Sequence, residues 1–214
     1  MYKAVLWDFG GVMTSSPFEA FNRFERTEKL PIDFIRSINS TDPETNAWAQ
    51  LESASIDVKE FDSLFAAEAS RLGHAVRGQQ VLALLSGELR PEMVAALKLI
   101  KAKMKVGCIT NNVKSAGTGA GMARDPERSK QFAAVMDLFD TVIESSKVGI
   151  RKPDPRIYQL ACDKLSIAPS EAIFLDDLGI NLKPARALGM TTIKVLNSQQ
   201  ALTELEQHLD MSLR

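Results

Sequence analysis

The sequence predicts an α/β protein: a doubly wound parallel sheet into which a block of helices is inserted. Three observations predict it. Five short apolar runs (Ala4–Trp7, Val106–Ile109, Thr141–Ile143, Ala172–Leu175 and Thr192–Val195) lack clean alternation, as strands buried on both faces of a parallel sheet do. Amphipathic stretches at helical spacing separate the later runs, with short links. The interval from Pro17 to about Leu89 carries helical patterns and no convincing strand.

Taken in order, Ala4–Trp7 supplies the first strand. Asp57–Leu72 is the clearest helix of the insert: Val58, Phe61, Phe65 and Leu72 fall on or near one stripe, and Asp57 stands as an N-cap. Pro91–Met104 opens with proline in its first turn and aligns Met93, Leu97, Ile100 and Met104. Val113–Asp125, with Gly117, Gly119 and Gly121, reads as a flexible loop. Arg156–Leu165 and Asn181–Leu188 read as helices, and Gly189 as a helix stop. The resulting division is a Rossmann-like core of residues 1–16 and 90–214, and a small α-helical cap of residues 17–89. Such a cap would cover the carboxyl ends of the strands, where open α/β sheets bind ligands.

Composition narrows the function classes. The 214 residues are 45% apolar and 25% charged with a net charge of −1, which describes an ordinary globular protein. No basic run or basic–aromatic alternation points to nucleic acid. The longest apolar runs are too short to span a bilayer, and the N-terminus lacks a signal peptide's layout, so a cytoplasmic protein is expected. Cys108 and Cys162 sit in apolar stretches without partners at metal-ligand spacing, and read as two buried thiols.

Four strand ends carry the chemistry. The first strand runs into Asp8, followed by Phe9, Gly10 and Gly11, which presents a carboxylate on a tight loop; taken alone, such an Asp is also a common turn residue. The second ends in Thr110, Asn111 and Asn112, whose hydroxyl and amides could donate to an oxyanion or simply make a turn. Lys152, before Pro153, suits a point-charge contact to phosphate or carboxylate, although Lys147, Arg151 and Lys152 could equally form a solvated basic loop. Asp176 and Asp177 follow four apolar residues. Two carboxylates at a buried sheet edge are costly unless neutralised. A hard divalent cation such as Mg²⁺, with oxygen ligands, does so.

These four signals, in this order, resemble the motifs of the haloacid dehalogenase superfamily: the strand-one Asp loop, the strand-two Ser/Thr, the Lys before Pro and the terminal acidic pair. The helical insert resembles that superfamily's small cap. From Phe139 onward the chain is similar to the N-terminal phosphatase domain of soluble epoxide hydrolases, through Phe139–Ser145, Lys152–Tyr158 and Phe174–Arg186. The resemblance implies a Mg²⁺-dependent phosphatase acting on a small phosphate monoester. Asp8 would be the nucleophile that becomes an aspartyl-phosphate. Asp8, the Gly10 carbonyl and Asp177 would hold Mg²⁺, with Asp176 supporting. Thr110 and the Asn111 amide would bind the phosphoryl group, and Lys152 would neutralise charge.

One departure stands out. Most phosphatases of this superfamily carry a second Asp two residues after the nucleophile, as acid and base for the leaving group and water. Here that position is Gly10. Two other readings stay open for that reason: a catalytically weak binding or regulatory domain, and a 2-haloalkanoate dehalogenase. The acidic pair argues against the second, because those dehalogenases need no metal. The substrate and the oligomeric state are not legible. Trp7, Phe18, Phe34 and Trp48 could line an apolar pocket, but core packing is the expected fate of each.

Overall fold

The computed structural model describes residues 1–85, 87–112 and 126–213. Strand β1 (Ala4–Trp7) leads into five helices: α1 (Pro17–Thr27), α2 (Phe34–Ser40), α3 (Ala47–Glu52), α4 (Val58–Arg71) and α5 (Gly78–Leu82). Helix α6 (Pro91–Lys101) returns the chain to β2 (Lys105–Thr110), followed by α7 (Pro126–Met136), β3 (Thr141–Glu144) and the single-turn α8 (Ser145–Val148). The chain closes with α9 (Pro155–Leu165), β4 (Ala172–Asp176), α10 (Gly179–Ala187), β5 (Thr191–Lys194) and α11 (Ser198–Leu209).

The five strands among the described residues pair in parallel, in the order β3-β2-β1-β4-β5. Every residue of the central strands β1 and β4 is buried, while the edge strands β3 and β5 are largely half-exposed and Thr-containing. That gradient explains why the inner strands read as unbroken apolar runs. Side chains alternate between two cores. Val5 and Trp7 join one with Val106, Ile173, Leu97 and Leu205, under α6, α7 and α11. Ala4 and Leu6 join the other with Phe174, Tyr158 and Leu182, under α9 and α10.

The expected helices stand within a few residues of their observed bounds. Asp57 caps α4 with a full capping box, its side chain accepting from Glu60 N–H at 2.8 Å and its own N–H donating to Glu60 at 2.9 Å. Phe61 and Phe65 are fully buried, but Leu72 is 50% exposed. It lies at the C-cap, one residue past the helix, where the stripe no longer applies. Met104 likewise falls beyond α6 and packs half-buried against the core. Gly189 takes φ +97° just after the α10 C-cap, a conformation that favours glycine at a helix end. The loop expected at Val113–Asp125 lies outside the described residues.

The inserted helices have a core of their own, built from residues such as Phe21, Phe34, Ile35, Leu51, Phe61 and Phe65. Phe18 and Trp48 pack against it half-buried, whereas Trp7 belongs to the sheet. An isolated antiparallel bridge between Thr14 and Leu89 joins the two connections to the sheet. Cys108 and Cys162 are buried free thiols, and burial holds both above the ordinary thiol range. Among the described residues no helix is long and apolar enough to cross a membrane.

Candidate active site

The strand order reverses between β1 and β4: β2 and β3 extend to one side of β1, β4 and β5 to the other. Ligands of open α/β sheets bind outside the carboxyl ends of the strands at this reversal. Asp8 follows β1 and Asp176 ends β4, so the two carboxylates flank the switch point.

Lys152 joins them. Its ammonium reaches Asp8 Oδ1 at 2.8 Å and Asp176 Oδ2 at 2.7 Å, and only 1% of the side chain is exposed. Burial alone would lower a lysine, but Asp176 and Asp8 outweigh it, and the ammonium is held well above the ordinary range. The loop carrying Lys152 leads directly into α9, whose N-cap Asp154 accepts from Arg156 N–H at 2.9 Å.

Asp176 has no bonding capacity to spare. Besides Lys152, it accepts from Leu178 N–H at 2.8 Å and from Asn181 Nδ2 at 3.1 and 3.0 Å. Asn181 is itself held, because its carbonyl accepts from the buried Tyr158 hydroxyl at 2.7 Å. Asp177, by contrast, is weakly engaged among the described residues, with a 3.5 Å contact from Ser16 Oγ. Ligand oxygens of Asp8, Asp176 and Asp177 all lie within 4.8 Å of one another. Three carboxylates against one ammonium leave an excess of negative charge. Burial, then the neighbouring carboxylates, raises Asp8 well above its usual range despite Lys152, and burial followed by Asp176 pushes Asp177 up to about 6. All-oxygen donors with surplus negative charge in a buried setting fit a hard divalent cation.

The loop after Asp8 is shaped for this. Phe9 N–H donates to Asp8 Oδ1 at 2.7 Å and so orients the carboxylate. Gly11, at φ +77°, stands so close to Asp177 that any Cβ would overlap its carboxylate. Only glycine meets both demands, the backbone angle and the approach. Gly10 differs: a Cβ there would meet nothing within 4 Å, and its φ is not in the left-handed region.

Thr110 ends β2, two residues beyond Cys108, which pairs with Trp7, and is buried. Asn111 uses its side chain on the Lys152 backbone: Oδ1 accepts from Lys152 N–H at 2.8 Å and Nδ2 donates to Lys152 C=O at 3.0 Å. Contact with an oxyanion would therefore fall to its main-chain amide. The structure thus brings Asp8, Lys152, Asp176 and Asp177 into one cluster, with Asn111 tied to it and Thr110 on the adjacent strand end. Sequence reading gave Gly11 a place in the tight loop after Asp8 but not its close approach to Asp177, and assigned no role to Ser16, Glu52 or Asn181. The spacing of Asn181, five residues after Asp176 on the first turn of the next helix, was the available signal.

A parallel sheet with strand order 3-2-1-4-5, an Asp loop after β1 and an acidic pair at the end of β4 are features of a HAD-like hydrolase fold. A family model for haloacid dehalogenase-like hydrolases matches residues 2–189, and the chain belongs to that family. It is similar to acyl-CoA dehydrogenase family member 10 of Mus musculus, 36% identical over 218 residues that cover 99% of this chain and 20% of that protein. It is also similar to bifunctional epoxide hydrolase 2 of Mus musculus, at 33% identity over 96% of this chain and 38% of that one. The chain therefore spans well under half the length of either relative. A HAD family enzyme of Bacteroides thetaiotaomicron, solved with magnesium and inorganic phosphate, shares the fold at TM-score 0.59 and 22% identity, over 91% of this chain and 94% of that one. So does L-2-haloacid dehalogenase of Xanthobacter autotrophicus, at TM-score 0.58 and 19% identity, over 100% of this chain and 85% of that one.

Proposed function

We propose that the chain is a Mg²⁺-dependent phosphatase that hydrolyses a small phosphate monoester through an aspartyl-phosphate on Asp8. One observation carries the reading: Asp8, Asp176 and Asp177 converge within 4.8 Å beside a buried lysine that bridges the first two. The acidic pair, with Asp177 weakly engaged by Ser16, supports the phosphatase reading over a dehalogenase of the same fold, which needs no metal. The magnesium- and phosphate-bound relative of known structure supports it at the level of the family.

The residues divide the work as follows. Asp8 attacks phosphorus with a carboxylate oxygen, the ester oxygen leaves, and water later cleaves the acyl phosphate to return Asp8. Lys152 offsets charge on Asp8 and on the phosphoryl oxygens from a site where little water screens it. Thr110 and the main-chain amide of Asn111 donate to the phosphoryl oxygens. Asp177, Asp8 and the Gly10 carbonyl would hold Mg²⁺, while Asp176 keeps Lys152 in place. When bound, Mg²⁺ supplies charge stabilisation to the phosphoryl group and neutralises the surplus carboxylates. The helices of residues 17–89 act as the cap that admits substrate, with the core formed by residues 1–16 and 90–214.

Gly10 gives a second reading its basis: with no carboxylate at that position, the domain would bind phosphate esters and turn them over weakly. A phosphate-ester panel assayed with and without Mg²⁺ tests both. Hydrolysis of an aryl phosphate that EDTA abolishes and Mg²⁺ restores is the expected result. Full activity in EDTA overturns the phosphatase reading, and binding without turnover favours the second.

A further inference from the structure

Glu52 is a buried carboxylate, 8% exposed, at the last residue of α3, and it reaches out of the inserted helices toward the sheet. Its Oε1 accepts from the indole N–H of Trp48 at 2.9 Å. Its Oε2 accepts from Arg151 Nε at 2.8 Å, from Arg151 Nη2 at 2.6 Å, and from Asn111 Nδ2 at 3.1 Å. Its main-chain carbonyl accepts from Ser145 Oγ at 2.8 Å. Arg151 gains a second anchor on the same helical unit, donating from Nη1 to Pro43 C=O at 2.9 Å.

Both partners of Oε2 are adjacent to residues of the site. Arg151 precedes Lys152. Asn111 follows Thr110 and clasps the Lys152 main chain at both N–H and C=O. The three bonds of the Asn111 amide agree on a single orientation, because turning the amide over would set its oxygen against Glu52 and Lys152 C=O. A lysine ammonium sits on a flexible stem, so its place depends on a fixed backbone. Here that backbone is fixed by an amide that Glu52 orients and by an arginine that Glu52 neutralises.

We infer that Glu52 is a positioning residue: from the inserted helices, its carboxylate holds the loops bearing Thr110 and Lys152 in register. The geometry stands independently of any activity, and its kinetic consequence rests on the phosphatase reading. Positioning of this kind acts on the reacting step, where a displacement of about 1 Å costs up to about 10²-fold in rate.

The test is Glu52→Gln, which keeps the shape but sets an amide against Arg151. Asp62→Asn is the control. Asp62 is as buried and pairs with Arg77 inside the helical unit, but among the described residues has no bond to either loop. Hydrogen exchange is read over residues 110–112 and 150–153, and kcat and KM are read on an aryl phosphate with Mg²⁺. Glu52→Gln should exchange faster in both segments and lose roughly 10–10²-fold in kcat with KM nearly unchanged. Asp62→Asn should lose stability and show neither effect. Unchanged exchange in Glu52→Gln, or wild-type kcat, overturns the inference. Should Glu52→Gln fail to fold, Arg151→Lys, which keeps the charge but loses the fork, is read the same way. A wild-type protein that hydrolyses no ester defeats the phosphatase reading alone, and the exchange result still decides the role of Glu52.

Discussion

Asp176 Oδ2 and Lys152 Nζ lie 2.7 Å apart in a pair that is essentially sealed from solvent, while the next residue, Asp177, has its carboxylate barely engaged. Adjacent carboxylates thus have different surroundings. Asp176→Asn removes the charge facing a buried ammonium, and breaking one partner of such a pair costs about 3–5 kcal/mol. Asp177→Asn should leave folding nearly intact and weaken Mg²⁺ binding more than Asp176→Asn does. Chemical denaturation and calorimetric Mg²⁺ titration of the two variants check this. Equal effects on both measurements contradict the division.

Asp8→Asn keeps the side chain's size and its bond from Phe9 N–H but removes the charged oxygen proposed as the nucleophile. Turnover should drop to background. A beryllium fluoride adduct on wild-type Asp8, adjacent to Lys152 and Thr110, would show the expected attachment point. An adduct on another residue contradicts the scheme.

Gly10 and Gly11 should respond oppositely to substitution. Gly10 has room for a side chain and an ordinary φ, so Gly10→Asp should fold and could place an acid near the leaving group. Wild-type enzyme should favour aryl, acyl or anomeric phosphates, whose leaving oxygens depart unprotonated. The variant should raise alkyl-phosphate turnover by up to about 10²–10⁴-fold. Gly11→Ala meets both a positive φ and the Asp177 carboxylate, and should lose Mg²⁺ affinity. Rates on paired aryl and alkyl esters, with circular dichroism of each variant, decide the matter. A well-folded Gly10→Asp with no gain on alkyl esters means that another group or a water supplies the proton.

The pH response follows from Asp177, pushed up to about 6 chiefly by burial and then by Asp176. A carboxyl raised above its ordinary value binds its proton more tightly folded than unfolded. Its contribution to stability is full below about pH 4 and is lost as pH rises through about 6. In EDTA, wild type should therefore lose stability relative to Asp177→Asn between roughly pH 4 and 7. Mg²⁺ requires the ionised carboxylate, so its affinity should fall by up to about tenfold per pH unit below 6. Thermal melts of both proteins across this range, with and without Mg²⁺, check the sign. A wild type that gains on the variant as pH rises in EDTA would falsify the assignment.

What was legible in the sequence was whatever short-range pattern encodes. Buried parallel strands must be apolar on both faces, so Ala4–Trp7 and Ala172–Leu175 announced themselves. Asp57 announced the start of α4, because an N-cap bonds only to its own first turn. Asp8, Lys152 and the Asp176–Asp177 pair were visible because each ends or follows a strand at the edge where such sheets bind ligands. Leu72 falls near the stripe of α4 yet is half exposed, since periodicity does not say where a helix stops.

The tertiary structure alone decided how those groups divide their tasks. Strand order put β4 beside β1, and only that adjacency brings Asp176 and Asp8 to one ammonium. Which member of the acidic pair keeps free lone pairs depends on Asn181 and Leu178 N–H, contacts formed by the turn into α10. That Gly10 has room while Gly11 has none depends on Asp177, some 166 residues along the chain. Glu52 carries no motif at all. Its bonds to Asn111 and Arg151 span 59 and 99 residues, and no local pattern encodes a contact between side chains that meet only when separate elements pack.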